Sequence, residues 1–195
     1  MVQGYFVARQ MGLSSMVKEL RMDEAEVAAL VQGMTVAAKG EELPFKFEAI
    51  IAGAQVFFSE RAMAGQKEWA DANAAFLTKV DADQAVTKTA SGLRYQILVA
   101  GTPEKPTATS KVKVLYTGKL CDGKVFDTTD NKGGQPIELS LAGVVKGWTE
   151  GLQLVGKGGK IHLWVPAELG YGNQPGGPLP AGSVLDFEVE LVDFN

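Results

Sequence analysis

The residues of this chain that could form a functional site are five aromatic rings and one carboxylate. They come from separate parts of the sequence: Tyr116, Phe126, Asp127, Trp148, Tyr171 and Phe187. If they converge, they would present a single polar acid inside an apolar hollow. The alternative is that these residues form no site: rings with apolar neighbours usually belong to the hydrophobic core, and a lone acid often stabilises a turn.

Phe126 and Asp127 stand at the end of a predicted hairpin. The pair Asp122-Gly123 separates two strand-like runs. Asp-Gly in that position is typical of a type I′ turn, in which both central residues have positive φ. Tyr171 lies between two glycines, which indicates an irregular loop, and loops on a rigid sheet often carry function.

The strands that would position these residues are predicted by period-two alternation. It occurs in residues 93–99, 112–116, 161–165 and most clearly in 185–191, where apolar and acidic side chains alternate. One polar face indicates an antiparallel sheet with a single covered side, and residues 145–154 supply a short covering helix. The predicted fold class is α+β, with a curved antiparallel sheet around one short helix.

Three residues fall on the predicted outer face of this sheet. We expect His162 to be solvated and Asp186 to point outward. Trp164 lies two residues after His162, so alternation places it on the same outer face and predicts an exposed ring. Nothing in the sequence explains why a tryptophan would be exposed there.

The composition changes near residue 86 and indicates two domains. Residues 87–195 hold 17 of the 23 glycines and seven of the eight prolines. Gly and Pro punctuate turns, so this part is predicted as sheet and loops, and residues 1–86 as helices.

Two helices are predicted in the first domain. One runs from Glu24 to Ala38, with Asp23 as its N-cap and Gly40 as its stop. The other follows Pro44 and, if unbroken from Phe45 to Val80, would be about 50 Å long. A helix of that length is expected to project from a compact body.

The helical domain carries more apolar residues than so small a domain can easily bury. A second copy of the chain would supply the missing partner, so we expect a homodimer through residues 1–86. The alternative is that the apolar stripe packs only within its own chain.

Composition argues against several classes of function. A net charge of −4 and a pI near 5.1 leave no basic excess for nucleic acid. No apolar run reaches the roughly 18 residues of a membrane span, and no signal peptide is recognised in the chain as given. Cys121 is the single cysteine, which precludes an internal disulfide, and one His and one Cys make a zinc site unexpected.

Four motifs in order give a resemblance to a known family. They are Tyr116-Thr-Gly-x-Leu-x-Asp-Gly-x-x-Phe-Asp127, Gly147-Trp-x-Glu-Gly-Leu152, Pro166-x-x-Leu-x-Tyr-Gly172 and Leu185-x-Phe-x-Val-Glu-Leu191. On these motifs, residues 93–195 resemble the FKBP-type peptidyl-prolyl cis–trans isomerases. Residues 1–92 are similar to the helical dimerisation half of the two-domain bacterial members, the macrophage infectivity potentiator-like and FKBP-22-kDa-like group. That likeness rests on the helix layout, on Arg9-Gln-Met-Gly12 and on a junction at Thr87–Leu93.

The resemblance implies a role for each site residue. It makes Trp148 the floor of a proline pocket, and it makes Asp127 and the Tyr171 hydroxyl the polar groups. The walls and rim would be Tyr116, Phe126, Phe187, Val144 and Val145, with the Val145 backbone N–H facing the ligand.

This chain departs from the family pattern in three places that touch the site. Ile137 stands where a Phe is common and would make one wall less aromatic. Gly133-Gly134 would make the loop before Ile137 flexible. In Pro178-Leu179-Pro180, Leu179 would still supply an apolar side chain at the edge of the pocket.

The resemblance implies an enzyme that isomerises X-Pro bonds in folding chains, without cofactor or metal, together with chaperone activity. It also implies binding of macrolide inhibitors at the same pocket. Two alternatives remain: a chaperone or peptide-binding module with incidental isomerase activity, and a catalytically weak scaffold. The expected compartment is the cytoplasm or the periplasm, the latter if a native leader has been removed.

Overall fold

The computed structural model describes residues 12–40, 47–173 and 179–195. The chain divides into two units, residues 1–68 and 69–195, and the division falls within the longest helix. The predicted domain boundary near residue 86 stays a prediction. The motif at residues 9–12, apart from Gly12, and the predicted roles of Pro44 and Pro178 lie outside the described residues.

The first unit contains helices α1 (Leu13–Glu19) and α2 (Glu24–Lys39) and the start of α3 (Phe47–Asp81). Helix α2 begins at a capping box, in which the Asp23 side chain accepts from Glu26 N and Glu26 accepts from Asp23 N. It ends at Gly40, whose backbone is in the left-handed region, a conformation that glycine adopts without steric strain. The prediction of this helix and its caps is confirmed.

Helix α3 is continuous over 35 residues, about 52 Å at 1.5 Å per residue. Its predicted first residues, 45 and 46, lie outside the described part of the chain. Within the first unit, Arg61 of α3 binds the α1–α2 connection through Leu20 O at 3.0 Å and Arg21 O at 2.6 Å. It also pairs with Glu26 at 2.7 Å, so polar contacts hold the three helices together here.

Seven strands in the described residues form one antiparallel sheet in the second unit. They are β1 (Thr87–Lys88), β2 (Arg94–Val99), β3 (Lys111–Lys119), β4 (Val125–Thr128), β5 (Ile137–Ser140), β6 (Gly159–Val165) and β7 (Leu185–Phe194). Their order is β1-β2-β6-β7-β3-β4, and β5 pairs with the first half of β3. The α+β fold predicted for this part, a sheet around a short helix, is confirmed.

Helix α4 (Lys146–Gly151) packs closely on the covered face of this sheet. A methyl group at Gly147 would lie 2.5 Å from Val165, and one at Gly151 would lie 2.5 Å from Leu163. Real side chains do not approach that closely, so the two glycines, one turn apart, let the helix backbone touch strand β6. The core between helix and sheet includes Leu152, whose side chain is fully buried.

The hairpin between β3 and β4 forms, but its turn is not the predicted type I′. Gly123 has φ of +81°, whereas Asp122 is not among the residues with positive φ. Gly123 N donates to Leu120 O at 2.8 Å, and Leu120 N donates to Lys124 O at 2.9 Å. The Asp122 side chain also accepts from Lys124 N at 2.9 Å. These bonds describe a three-residue loop with one left-handed glycine, the next most common hairpin form.

The outer face of the sheet differs from the prediction at Trp164 and His162. Trp164 is only 8% exposed, and its ring stacks on His162 with centroids 3.9 Å apart. His162 Nε2 is hydrogen-bonded to Asp186 Oδ1 at 2.5 Å, so it is not merely solvated. The register places Trp164 between Arg94 and Asp186 on the neighbouring strands. Alternation identified the face correctly but could not show that neighbours cover it.

The second unit, called the sheet unit below, includes the last turns of α3, and polar contacts fix these turns against the sheet. Arg94, itself buried, donates two hydrogen bonds of 2.8 Å to Asp81. Asn73 Oδ1 accepts from Val184 N at 2.7 Å, and Trp69 Nε1 donates to Ser183 Oγ at 3.1 Å. The Asp81 carboxylate and the Arg94 guanidinium therefore join the helix end to strand β2.

In the described part of the chain, no helix is both long and apolar enough to cross a membrane. The same residues contain no cluster of three or more His, Cys, Asp or Glu side chains that could hold a metal ion.

Candidate active site

A cavity of about 250 Å³ opens at the covered face of the sheet, next to the start of α4. Strands β3, β4, β5 and β7, helix α4 and two loops each contribute to its lining. The lining residues are Tyr116, Phe126, Asp127, Leu139, Gly143, Val144, Val145, Trp148, Tyr171 and Phe187. The sheet thus brings together the five rings and the acid that the sequence singled out.

Trp148 is a buried ring of the cavity that contacts two of the other rings. It is 4% exposed, as is Phe187, and meets Tyr116 and Phe187 edge to face, at centroid distances of 5.0 and 5.1 Å. Its Nε1–H is buried and has no hydrogen-bond acceptor among the described residues. An unpaired buried donor costs about 1–3 kcal/mol. A ligand that brings an acceptor to this nitrogen would remove that cost.

The Phe126 and Phe187 rings meet edge to face, with centroids 5.5 Å apart. They cover the backbone of Gly118, where a methyl group would lie 2.6 Å from Phe187 and 2.8 Å from Phe126. Gly118 is therefore required for the close approach of both walls. Its φ is not in the left-handed region, so space rather than backbone freedom selects glycine here.

Asp127 is half-buried beside these rings, and Tyr116 holds its carboxylate in place. The Tyr116 hydroxyl donates to Asp127 Oδ2 at 2.5 Å. The two side chains come from adjacent strands, since β3 and β4 pair at Thr117↔Thr128 and Gly118↔Asp127. A charge-assisted bond of this kind is stronger than a neutral one, so it fixes the orientation of the one carboxylate among the described residues of the cavity lining.

The remaining rim comes from loops. Val144 and Val145 precede α4, and the Val145 carbonyl accepts from Trp148 N at 2.9 Å. Tyr171 follows a short 3₁₀ turn at Ala167–Leu169 and is 62% exposed. The loop therefore places the Tyr171 ring at the open edge of the cavity, in contact with solvent.

Two residues predicted for the site do not line this cavity, and two that do were missed. Ile137 packs on the core, while Leu139, two residues further along β5, takes the lining position. Both lie on the same face of the strand, so alternation alone could have suggested Leu139. Leu179 lines a different hollow. Gly143 is the other missed residue, and no sequence signal marks it.

Comparisons with known proteins identify the family. The model of the family described as "FKBP-type peptidyl-prolyl cis-trans isomerase" matches residues 102–192. The model described as "Domain amino terminal to FKBP-type peptidyl-prolyl isomerase" matches residues 2–97. A probable FKBP-type peptidyl-prolyl cis–trans isomerase of Haemophilus influenzae is 41% identical over 85% of this chain and 68% of that protein. The chain belongs to the FKBP-type peptidyl-prolyl cis–trans isomerases.

Other FKBP-type relatives are matched over less of their length. FkpA of Escherichia coli is 43% identical over 58% of this chain and 42% of that protein. The outer membrane protein MIP of Legionella longbeachae is 41% identical over 62% of this chain and 52% of that protein. The chain thus matches about half the length of these two relatives.

The crystal structure of FkpA from Escherichia coli is similar to the whole fold. It superposes with a TM-score of 0.75 at 33% identity, covering 100% of this chain and 93% of that one. An isomerase structure from Pseudomonas syringae gives a TM-score of 0.60 over 66% of this chain. The resemblance inferred from four motifs is therefore confirmed at the level of family, enzyme class and fold.

Proposed function

We propose that the cavity accelerates rotation about X-Pro bonds in unfolded or partly folded protein chains. The observation that carries this is the apolar, ring-lined cavity of about 250 Å³, in which the described lining residues include one carboxylate, held by a hydrogen bond. An X-Pro bond rotates slowly because resonance gives the C–N bond double-bond character, with a barrier of about 18–20 kcal/mol. The twisted transition state has lost that resonance.

An apolar cavity favours the twisted state over the planar one. The carbonyl of the twisted bond is less polar, so it loses less when rings replace water around it. Catalysis is then differential binding, and each tenfold acceleration needs about 1.4 kcal/mol of preference for the transition state. In this mechanism Trp148 is the floor, and Tyr116, Phe126, Leu139 and Phe187 form the walls.

The polar groups position the peptide and exchange no protons. Asp127, held by the Tyr116 hydroxyl, accepts from the peptide backbone of the client. The Tyr171 hydroxyl and the Val145 backbone N–H, both at the rim, donate to client carbonyls. Ile137 and Leu179, which the resemblance places in the site, act from outside the cavity lining, through packing and through the loop beside it.

The test is the rate of proline isomerisation in a short peptide and in a protein whose refolding is limited by proline. We expect Phe126→Ala and Asp127→Leu to lower kcat/KM by roughly ten- to a hundredfold, about 1.4–2.7 kcal/mol of transition-state binding. Phe58→Ala, which removes a partly exposed ring in the first unit, is the matched control and should keep the wild-type rate. If both cavity variants retain full activity, the assignment of the cavity is wrong.

We further propose that residues 1–86 pair two copies of the chain. Several apolar side chains of α2 and α3 are exposed by more than half: Val31 at 56%, Val56 at 54% and Met63 at 60%. Burial of such side chains is worth about 25 cal/mol per Å², which favours association. Sedimentation of the full chain tests this, and a monomer at micromolar concentration would contradict it.

The second candidate function is that of a chaperone, favoured by the same exposed apolar side chains. The paired helices would hold two isomerase domains around one client. Suppression of aggregation by the full chain, but not by residues 69–195, which form the second unit, would assign this role to the helices of the first unit. A macrolide that inhibits isomerisation without affecting aggregation would separate the two functions, since we place its binding in the cavity.

A further inference from the structure

A second hollow shares the Phe126 side chain with the active-site cavity. Its volume is about 330 Å³, and its apolar lining consists of Trp69, Leu120, Val125, Phe126, Leu179 and Pro180. We call it the side hollow. Its lining comes from the end of α3, from the β3–β4 hairpin and from the loop after Tyr171. None of these groups except Phe126 and Leu179 has a role in the mechanism above.

The walls of the side hollow are held in place by hydrogen bonds. The Trp69 ring donates from Nε1 to Ser183 Oγ at 3.1 Å, and Ser183 Oγ donates to Pro180 O at 2.6 Å. Leu120 is buried, and its backbone closes the hairpin through bonds to Gly123 and Lys124. Phe126 rests on Phe187. The concavity is therefore built by fixed groups from three elements.

The chemistry of the lining selects an apolar occupant. Two charged residues, Asp122 and Lys124, also line the hollow and carry opposite signs. The lining therefore has no net charge to attract an ionised side chain, whereas its rings and aliphatic groups favour a Leu, Met or Phe side chain. Val125 remains 45% exposed, so part of this apolar surface is open.

The Phe126 side chain lines both the cavity and the side hollow, so the two sites adjoin at one ring. A ring with a group in contact at about 3.5–4.0 Å on each face separates the two groups by about 7–8 Å. An extended peptide advances about 3.3 Å per residue, so a side chain two or three residues from the proline of a client lies at about this distance from it.

We propose that the side hollow is a specificity subsite that binds an apolar side chain two or three residues from the proline of the same client chain. The proposal rests on the proposed isomerase function of the cavity. It assigns a role to Trp69, Val125 and Pro180, and it explains why Leu179 is near the active site without lining the cavity.

The test compares peptides that differ at one position. Each contains Ala-Pro, and each carries Leu, Ala or Lys two or three residues before or after the proline. With the full-length protein, we expect Leu at one of these positions to raise kcat/KM roughly tenfold over Ala, the scale on which hydrophobic pockets discriminate. Lys at that position should give no gain.

The variant Val125→Glu places a charge in the side hollow and should reduce the Leu-over-Ala ratio to about one. Val99→Glu is the matched control, because Val99 is also a strand valine of similar exposure, 47%, and lies outside both sites. It should keep the wild-type ratio. The ratio is measured within each variant, so any change in the cavity itself cancels. If Val125→Glu does not fold by circular dichroism, Val125→Gln replaces it with the same expectation.

The outcomes separate this proposal from the proposed function. If the wild-type protein isomerises none of the peptides, the function assigned to the cavity fails. If it isomerises them all but shows no preference for Leu, the side hollow is not a subsite. A preference that survives Val125→Glu also overturns the proposal, because the preference then arises elsewhere.

Discussion

Helix α2 and the sheet unit differ in how far their apolar residues are buried. No residue of α2 is buried, and Val31 is 56% exposed. In the sheet unit, Val112, Leu163 and Leu191 are completely buried between the strands and α4. The sheet unit thus buries apolar residues fully within its own chain, whereas no side chain of α2 is fully buried against the residues that the structure describes.

The difference shows what stabilises each region. Helix α2 is defined by local signals, the Asp23–Glu26 capping box and the left-handed Gly40, which are worth about 1 kcal/mol each. The sheet is stabilised by burial of residues that are distant in sequence. We therefore expect substitutions in the sheet to change stability and activity strongly, and those in α2 to depend on a second chain.

The largest expected effect is on the free energy of unfolding of the sheet unit. Leu163→Ala removes a fully buried side chain that rests on Gly151. The cost should be about 2–5 kcal/mol, from lost burial and the cavity left behind. Urea denaturation measures it, with Leu98→Ala as the control, since Leu98 is 50% exposed and its loss should cost no more than about 0.5 kcal/mol. Equal losses for the two variants would contradict the assignment of the core.

The second effect is on activity. Gly118→Ala would place a methyl group 2.6 Å from Phe187 and 2.8 Å from Phe126, so both rings must move. Displacement of reacting or positioning groups by about 1 Å costs roughly a hundredfold in rate. We expect that loss in kcat/KM on a short peptide.

Gly65→Ala in α3 is the control for this substitution. A methyl there meets no atom within 4 Å, and alanine is the better helix former by about 1 kcal/mol. It should leave the rate unchanged and stabilise the helix. If Gly118→Ala retains wild-type activity, the two rings are not walls of the site.

Sequence patterns predicted whole elements better than single side-chain positions. The caps of α2 are local, so Asp23 and Gly40 could be identified correctly. The turn at Asp122-Gly123 was predicted wrongly, because the Asp122 side chain binds Lys124 N and the loop closes through Leu120. Those contacts favour a three-residue loop, and the Asp-Gly pair alone does not reveal them.

In the candidate site too, the sequence pattern predicts the face of a strand but not the position of a single side chain. Alternation places Ile137 and Leu139 on one face of β5, but only the tertiary structure decides that Leu139 reaches the cavity. Trp164 was expected to be exposed, yet stacking on His162 covers it. Alternation along a strand specifies a face but not how the side chains on that face pack on one another, as the stacking of Trp164 on His162 of the same strand shows.

A smaller effect is expected at the junction between α3 and the sheet. Hydrogen bonds from the Arg94 guanidinium hold the pKa of Asp81 below its usual value. A carboxylate with a lowered pKa in the folded state stabilises the protein above the unfolded-state pKa, and this contribution is lost as the pH falls through the folded-state value. Asp81 is about one-third exposed, so we expect Asp81→Asn to cost only about 1–2 kcal/mol at pH 7.

The pH dependence distinguishes this pair from a packing effect. The difference between wild type and Asp81→Asn should begin to shrink near the unfolded-state pKa of about 4, where Asp81 of the unfolded chain binds a proton, and should be lost once the folded carboxylate is protonated as well. Thermal unfolding from pH 2 to 7 measures it. Glu104→Gln removes an exposed acid and should show no such trend. A difference that is constant with pH would show that the charge of Asp81 is not what Arg94 requires.

The smallest expected effect is the change in stability on Val31→Ala, and its sign shows whether a second copy of the chain covers α2. Alanine is a better helix former than valine by about 0.5 kcal/mol, so Val31→Ala should stabilise α2 slightly if Val31 faces water. If a second copy covers Val31, the same change removes buried methyl groups and lowers stability instead. The loss is then larger at high protein concentration, where the chains are paired, than at low concentration, where they separate and Val31 faces water. Unfolding at two concentrations, with the exposed Gln32→Ala as a control for helix propensity, gives the sign. A stabilised Val31→Ala variant at both concentrations would mean that α2 does not pair through this residue.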